Sequence, residues 1–395
     1  LRVVEVTEYG HVKSVPLDAE QRDALIESGW FDLIPERGRD GLWTIRATSH
    51  VGEFVVPDLT IRVRPKLEVA QLFVMLSAAL DSIAWFDHKL ERSASLAIED
   101  IIASALVDSI ARSLRRGLLR GYVATEEESS VIRGRLRLTE ALRRRGGVLV
   151  PIVQEPHILD ESIPENRVMA TALSRLAARV QSRSVRGRVL DCQRAFGGVA
   201  TLPASAPIPR LDRTRLNAPW WNSIELALLV LRSCGLDLRH GSHQSRSFMV
   251  DMNVVFERFV HSCLASALDR HGHVLKHNCG GLHLDVESRH RLRPDLSIWS
   301  HAHCVFAADC KYKISDDGSA AREDLYQSLA YALATGTRRV MIIYGGDSIR
   351  SREVLVADRR TIIQVRVVNL AAPPEQLKNQ FANIADEIAE SIRIG

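Results

Sequence analysis

No apolar run in this chain of 395 residues is long enough to cross a bilayer. The longest, around IELALLVL at 224–231, is less than half of the roughly 20 residues that a spanning helix needs. A GxxxxGK[ST] loop is missing too, so the chain is not itself a P-loop NTPase. Its six cysteines, at 192, 234, 263, 279, 304 and 310, form no CxxC pair and no zinc-type His/Cys spacing. Such dispersal points to reduced thiols in a cytoplasmic protein, several of them core residues. The opening LRVVEVTEYGHVKS does not have the basic-then-apolar layout of a signal peptide. Repeats and low-complexity tracts are absent, and so is a strong excess of one charge. Lys+Arg 52 against Asp+Glu 48 leaves a net charge of +4, compatible with nucleic acid but not evidence for it.

What is present reads as a multi-domain α/β (α+β) protein. Residues 1–75 are β-rich, with LRVVEVTEYG, GLWTIRATSHVGEFVV and LTIRVRPK short, β-branched and punctuated by Gly, Pro and Asp. At LEVAQLFVMLSAAL (67–80) the apolar period changes to helical. Residues 76–240 are mainly helical, broken by strand-like VIRGRLRL at 131–138 and a loop at 196–210. Ser162 with Glu165, and Pro164 between them, predicts a capping box at a helix start. Residues 241–395 predict a mixed α/β domain. Its order is a helix at 251–269, strands near 274–278, 282–287, 292–299 and 304–312, a helix at 322–334, strands at 338–345 and 361–368, and a helix at 375–393.

Within that last domain, RLRPDLSIWSHAHCVFAADCKYK (291–313) places Asp295, Asp309 and Lys311 on otherwise apolar strands. Burying an unpaired charge costs several kcal/mol, so these three must satisfy one another or hold something between them. With the turn centred on Ala302, Asp295 and Asp309 fall directly opposite each other, about 5 Å apart at Cβ. Alternation puts Lys311 on the face of Asp309, and Arg293 and Arg291 on the face of Asp295. Two adjacent carboxylates repel, and a divalent cation with oxygen preference resolves the repulsion. A lysine beside it can orient a water or stabilise phosphorane charge. The same residues would also serve a hairpin in which Lys311 and Arg293 merely neutralise the aspartates, and for D-x-K alone that is the commoner case.

Glu257 lies on an amphipathic helix near Val254, Val260 and Leu264, where it would either reach the same site or remain a surface charge. Gln327 and Tyr331 are one turn apart on a later helix, with Asp324 beside them. Ordinary packing accounts for each of these alone. Cys310 alternates to the opposite face, and no base accompanies it, so it reads as a packed residue. Arginines are dense between 112 and 145 and interrupted by Glu126–Glu128, which fits a DNA or partner surface or a salt-bridged solvated face.

In the order Glu257, Pro294-Asp295, Asp309-Cys310-Lys311, Gln327-xxx-Tyr331, the set resembles a PD-(D/E)XK nuclease with a RecB-like fourth motif. GLLRGYVATEEESSVIRGRLRLTEAL (117–142), ILDESIPENRVMATAL (158–173), FMVDMNVVFERFV (248–260), RPDLSIW and DCKYK together resemble the McrC family. That resemblance implies a Mg2+-dependent DNA endonuclease subunit, with Mn2+ as a substitute, of a restriction system used in phage defence. It implies a McrB-like AAA+ GTPase hexamer as partner, engaged by the N-terminal part, and modified double-stranded DNA as substrate. Two copies would serve double-strand cleavage, and no membrane is involved. By the same resemblance Asp295, Asp309, Glu257 and the Cys310 carbonyl bind the metal. Lys311 and Gln327 complete the catalytic set, and Arg291, Arg293 and Tyr331 contact DNA. A self-sufficient RecB-like nuclease and a regulatory activator of the motor are the rival readings.

Overall fold

The structure is a computed structural model. It describes residues 2–67, 71, 75, 97–145, 151–203, 206–234, 247–312 and 320–394. The predicted helix at 67–80 lies mostly outside these residues. The chain forms two compact units, Leu1–Ile98 with Ser247–Gly395, and Glu99–Arg246. The second is thus an insertion into the first. No helix among the described residues is long and apolar enough to cross a membrane.

The first unit begins with β1 (Arg2–Thr7), β2 (His11–Pro16), α1 (Ala19–Ser28), β3 (Phe31–Pro35), β4 (Leu42–Ala47), β5 (His50–Val56) and β6 (Leu59–Arg64). Helix α1 was not legible as an element of this β-rich segment, yet Asp18 and Gln21 close a capping box at its start. Strands β2, β4 and β3 form one small antiparallel sheet.

The inserted unit holds α2 (Ile98–Leu114), β7 (Gly121–Ala124), β8 (Glu127–Ser129), β9 (Arg135–Leu136), α3 (Leu138–Arg145), β10 (Ile152–Glu155), β11 (His157–Asp160), α4 (Pro164–Ala177), α5 (Arg183–Arg194) and α6 (Trp221–Ser233). The capping box expected at Ser162 does not form. Ile163 is the N-cap of α4, without a side-chain bond, and Pro164 opens the helix directly. Proline at the first position needs no cap for its missing N–H. The Ser162 hydroxyl instead accepts from the Ala200 N–H at 3.2 Å. Of VIRGRLRL only Arg135–Leu136 is strand.

The chain returns to the first unit with β12 (Phe248–Asp251), α7 (Met252–Asp269), β13 (Leu275–His277), β14 (Leu282–His283), β15 (Arg291–Leu292), β16 (Leu296–Ser300), β17 (His303–Lys311), α8 (Arg322–Thr335), β18 (Arg339–Gly346), β19 (Arg350–Leu355), β20 (Ile362–Asn369) and α9 (Pro374–Ile394). Six strands make one mixed sheet in the order β13-β16-β17-β18-β20-β19. β17, β18 and β20 run parallel, and their near-continuous burial is what a sheet covered on both faces requires. Tyr331 and Ala332 of α8 pack on the face that carries Ala307, Ile342 and Tyr344. On the other face Phe256 of α7 meets Tyr312, and Phe259 meets Phe381 of α9.

β12 does not join this sheet. It pairs antiparallel with β5, completing a four-stranded sheet in the order β1-β6-β5-β12. Gly52 permits the approach, because at φ 135° an added Cβ would stand 2.1 Å from the Phe248 carbonyl oxygen. Strands β1, β6 and β5 of the N-terminal segment and the strand leading into α7 therefore form one sheet.

Candidate active site

The hairpin that carries the charges has a two-residue turn, His301–Ala302, rather than one centred on Ala302. That offset alone would slide the two aspartates out of opposition. A bulge at Val305 restores it: Trp299 pairs with Cys304, but Ile298 pairs with Phe306 and Leu296 with Ala308. Continued one step, this register sets Asp295 against Asp309. Backbone contacts hold Asp295 in place, its carbonyl accepting from the Asn278 N–H at 2.8 Å and its Oδ2 from the Cys310 N–H at 2.8 Å.

Around Asp309 the side chains close a ring. Lys311 Nζ is in ion-pair contact with Asp309 Oδ2 and donates to Gln327 Oε1 at 3.2 Å. Gln327 Nε2 donates to the Tyr331 hydroxyl at 2.8 Å. That hydroxyl stands 3.3 Å from both Asp309 Oδ1 and the Arg293 carbonyl, and with one proton it can donate to either. Helical spacing brings Gln327 and Tyr331 to one side of α8, and strand alternation brings Asp309 and Lys311 to the facing side of β17. One turn before Gln327's neighbour Ser328, Asp324 Oδ2 accepts from the Tyr344 hydroxyl at 2.6 Å.

The electrostatics are those of a crowded acid pair. Burial first, then the Asp309 and Glu257 charges, push the Asp295 carboxyl up to about 8. Burial alone would lower the Lys311 ammonium, but the charges of Asp309, Asp295 and Asp324, with the Asp309 contact, together hold it above its ordinary value. The Cys310 thiol is fully buried, and burial raises it well above the ordinary range, which removes any nucleophilic role.

Other expected residues fall in different places. Glu257, on α7, is 3.8 Å from His277 Nε2 and close enough to Asp295 to raise its pKa. Arg291 and Arg293 are exposed, and Arg293 Nε donates to the Asn278 carbonyl at 2.9 Å. Tyr331, expected at the DNA surface, is 2% exposed with its hydroxyl spent inside the ring. Burial excludes it from a direct DNA contact.

The donor set suits a hard cation. Asp309 Oδ2 is buried, with the Lys311 ammonium against it as counter-charge. Among the described residues no three His, Cys, Asp or Glu side chains converge closely enough to hold a metal by themselves. Two carboxylates with a backbone carbonyl and waters match Mg2+, which keeps part of its hydration shell. Glu257 would then act through water.

Residues that sequence reasoning missed lie in turns of the N-terminal segment. The Tyr9 hydroxyl is 3.4 Å from both Asn253 Oδ1 on α7 and the Tyr312 carbonyl next to Lys311. Tyr9 adopts φ 55°, an unusual conformation for a bulky residue. Ser49 Oγ donates to Asp251 Oδ1 at 2.9 Å, and Asp251 also caps α7 by accepting from the Asn253 N–H. The contacts of Tyr9 and Ser49 span about 200 residues or more, and no local pattern announces them.

Comparison with known proteins places this geometry in context. The sequence profile described as McrBC 5-methylcytosine restriction system component matches residues 45–345. No curated protein matches the chain. Among solved structures, one similar chain is from the refined half-complex of the tetradecameric assembly of Thermococcus gammatolerans McrB AAA+ hexamers with bound McrC. Identity is 16% and the TM-score 0.49, over 98% of this chain and 100% of that one. Another is from the cryo-EM structure of the Thermococcus gammatolerans McrBC complex, with 21% identity and a TM-score of 0.38 over 68% of this chain and 88% of that one.

Proposed function

The chain belongs to the McrBC 5-methylcytosine restriction system component family, and on that premise we propose that it is a Mg2+-dependent endonuclease subunit with a PD-(D/E)XK site, cutting DNA under the control of an AAA+ GTPase. The observation that carries this reading is the closed Asp309–Lys311–Gln327–Tyr331 ring, with Asp295 set against Asp309 by the strand register. A degenerate site would have no reason to keep a buried acid pair in opposition.

Asp295, Asp309 and the Cys310 carbonyl would hold the cation, Mg2+ or Mn2+, with Glu257 reaching it through water. The Cys310 N–H already points at Asp295, and in a strand the carbonyl of the same residue turns to the same edge. A cation there would supply counter-charge to the phosphate and lower the pKa of the attacking water. Lys311, kept charged by Asp309 and aimed by Gln327, orients that water and donates to the developing phosphorane oxygen. Tyr331 fixes the Asp309 rotamer.

In this reading residues 241–395 hydrolyse the phosphodiester, residues 1–75 contact the motor hexamer, and residues 76–240 offer a surface to DNA or a partner. The substrate is modified double-stranded DNA, and two copies of the chain serve double-strand cleavage. The test is reconstitution with an AAA+ partner on modified and unmodified DNA with Mg2+. Asp309→Ala and Lys311→Ala should abolish cleavage and leave stimulation of GTP hydrolysis intact. Cleavage at the wild-type rate by both variants would overturn the assignment.

A further inference from the structure

Two turns of the N-terminal segment meet the elements that carry the candidate site. Glu8–Gly10 joins β1 to β2, and Thr48–Ser49 joins β4 to β5. Backbone bonds lock the turns together: the Tyr9 N–H donates to the Thr48 carbonyl at 3.2 Å, and the Ala47 N–H to the Gly10 carbonyl at 2.9 Å. The second turn fixes the start of α7. There the Met252 N–H donates to the Ser49 carbonyl at 3.0 Å, and the Ser49 hydroxyl donates to Asp251, the N-cap.

The first turn reaches further. The Tyr9 hydroxyl is 3.4 Å from Asn253 on α7 and 3.4 Å from the carbonyl of Tyr312 at the end of β17. An asparagine amide presents either its oxygen or its NH2, so one hydroxyl can accept from Asn253 and donate to Tyr312 at once. Asn253 lies one turn before Glu257 on the same side of α7. Tyr312 directly follows Lys311 in the chain. A single hydroxyl thus ties the helix of Glu257 to the strand of Asp309 and Lys311.

The turn that holds this hydroxyl is costly to build. Tyr9 adopts φ 55°, in the left-handed region that a bulky residue avoids. Glu8 is fully buried beside the Tyr312 hydroxyl, and one of its carboxyl oxygens has no hydrogen-bond partner. Strained backbone and a buried acid in one turn persist where the surroundings must hold a single geometry. The Tyr312 ring also packs on Phe256, the residue before Glu257, with ring centroids 5.9 Å apart.

We infer that Tyr9 is a positioning residue for cleavage: its hydroxyl sets the separation between Glu257 on α7 and Lys311 on β17. The N-terminal segment then contributes to the site itself, besides any contact with the motor. The inference rests on the nuclease reading of that site.

Tyr9→Phe keeps the ring and removes only the hydroxyl. In the full chain with its AAA+ partner, the single-turnover rate at saturating Mg2+ and DNA should fall about tenfold, as for loss of a group that orients a site residue. Binding of a fluorescein-labelled duplex in EDTA should stay at the wild-type affinity. Asn253→Ala should lower the rate similarly, and the double variant no further than either alone, because both remove one contact. Hydrogen exchange in EDTA gives a readout free of catalysis. Tyr9→Phe should speed exchange at Asp309–Tyr312 and in the first turns of α7, and leave β18 and β20 unchanged. Wild-type rate and exchange in Tyr9→Phe would overturn the inference. So would a lowered melting temperature with uniformly faster exchange and an unchanged rate, which marks a hydroxyl that serves stability alone. If the unaltered chain does not cleave, the nuclease reading falls and this inference with it; a cleaving wild type with an unaffected Tyr9→Phe overturns this inference only.

Discussion

Replacing Glu8 by glutamine should change how the stability of this protein depends on pH. Glu8 follows β1, is fully buried, and has one carboxyl oxygen without a hydrogen-bond partner. The other accepts from the Lys66 N–H at 3.4 Å. The Tyr312 hydroxyl is near enough to feel its charge but is not in hydrogen-bond geometry. Burial, opposed in part by the Lys66 N–H, pushes the carboxyl from 4.5 up to about 8. The folded protein therefore keeps a proton that the unfolded chain has released. Stability from this group is fully present below pH 4.5 and is lost as pH rises through 8. Each unit of separation is worth about 1.4 kcal/mol, so the loss is on the order of 5 kcal/mol. Glutamine is neutral throughout and keeps the shape. The measurement is urea unfolding in EDTA at intervals from pH 4.5 to 9, taken as variant minus wild type so that Asp295 and the other carboxyls cancel. The difference should grow in favour of Glu8→Gln by that amount. Parallel curves would refute the reasoning and show Glu8 ionised in the fold.

Tyr331→Phe removes the hydroxyl that joins Gln327 to Asp309, so cleavage should fall about tenfold or more and require more Mg2+, at a stability cost of about 1–3 kcal/mol. Single-turnover rates across a Mg2+ titration check this, and an unchanged rate and midpoint would contradict the ring. Asp295→Asn removes a buried charge that Asp309 and Glu257 oppose while its side-chain oxygen can still accept from Cys310, so the metal-free variant should melt above wild type at pH 9. Mg2+ should raise the melting temperature of the wild type only; equal shifts in both proteins would place the cation elsewhere. Gly52→Ala drives a Cβ into the Phe248 carbonyl and strains φ, so denaturant unfolding should show a loss of about 2 kcal/mol or more, and a neutral result would mean that β5 and β12 are not paired so closely.

Much of the candidate site was legible because its pieces are local. Alternation set Asp309 and Lys311 on one face of β17, and helical spacing set Gln327 and Tyr331 on one side of α8. Periodicity says which residues share a face, not which face is buried, so Tyr331 could be read as a DNA contact when it is a buried member of the ring. The opposition of the two aspartates was right in outcome but not in derivation. It depends on a bulge at Val305 that compensates a shorter turn, and a bulge leaves no periodic trace.

The sequence by itself determined most element types of the C-terminal segment, though not strand β19, together with the shared faces of its charged hairpin and the family. Only the tertiary structure decided that β12 completes an N-terminal sheet, that Tyr9 and Ser49 reach the elements carrying Glu257 and Lys311, and that residues 99–246 are an insertion. The physical reason is range. A strand's face is set by neighbours two residues away, but its partner is chosen by contacts summed over the whole fold, and for β5 and β12 that partner lies about 200 residues along the chain.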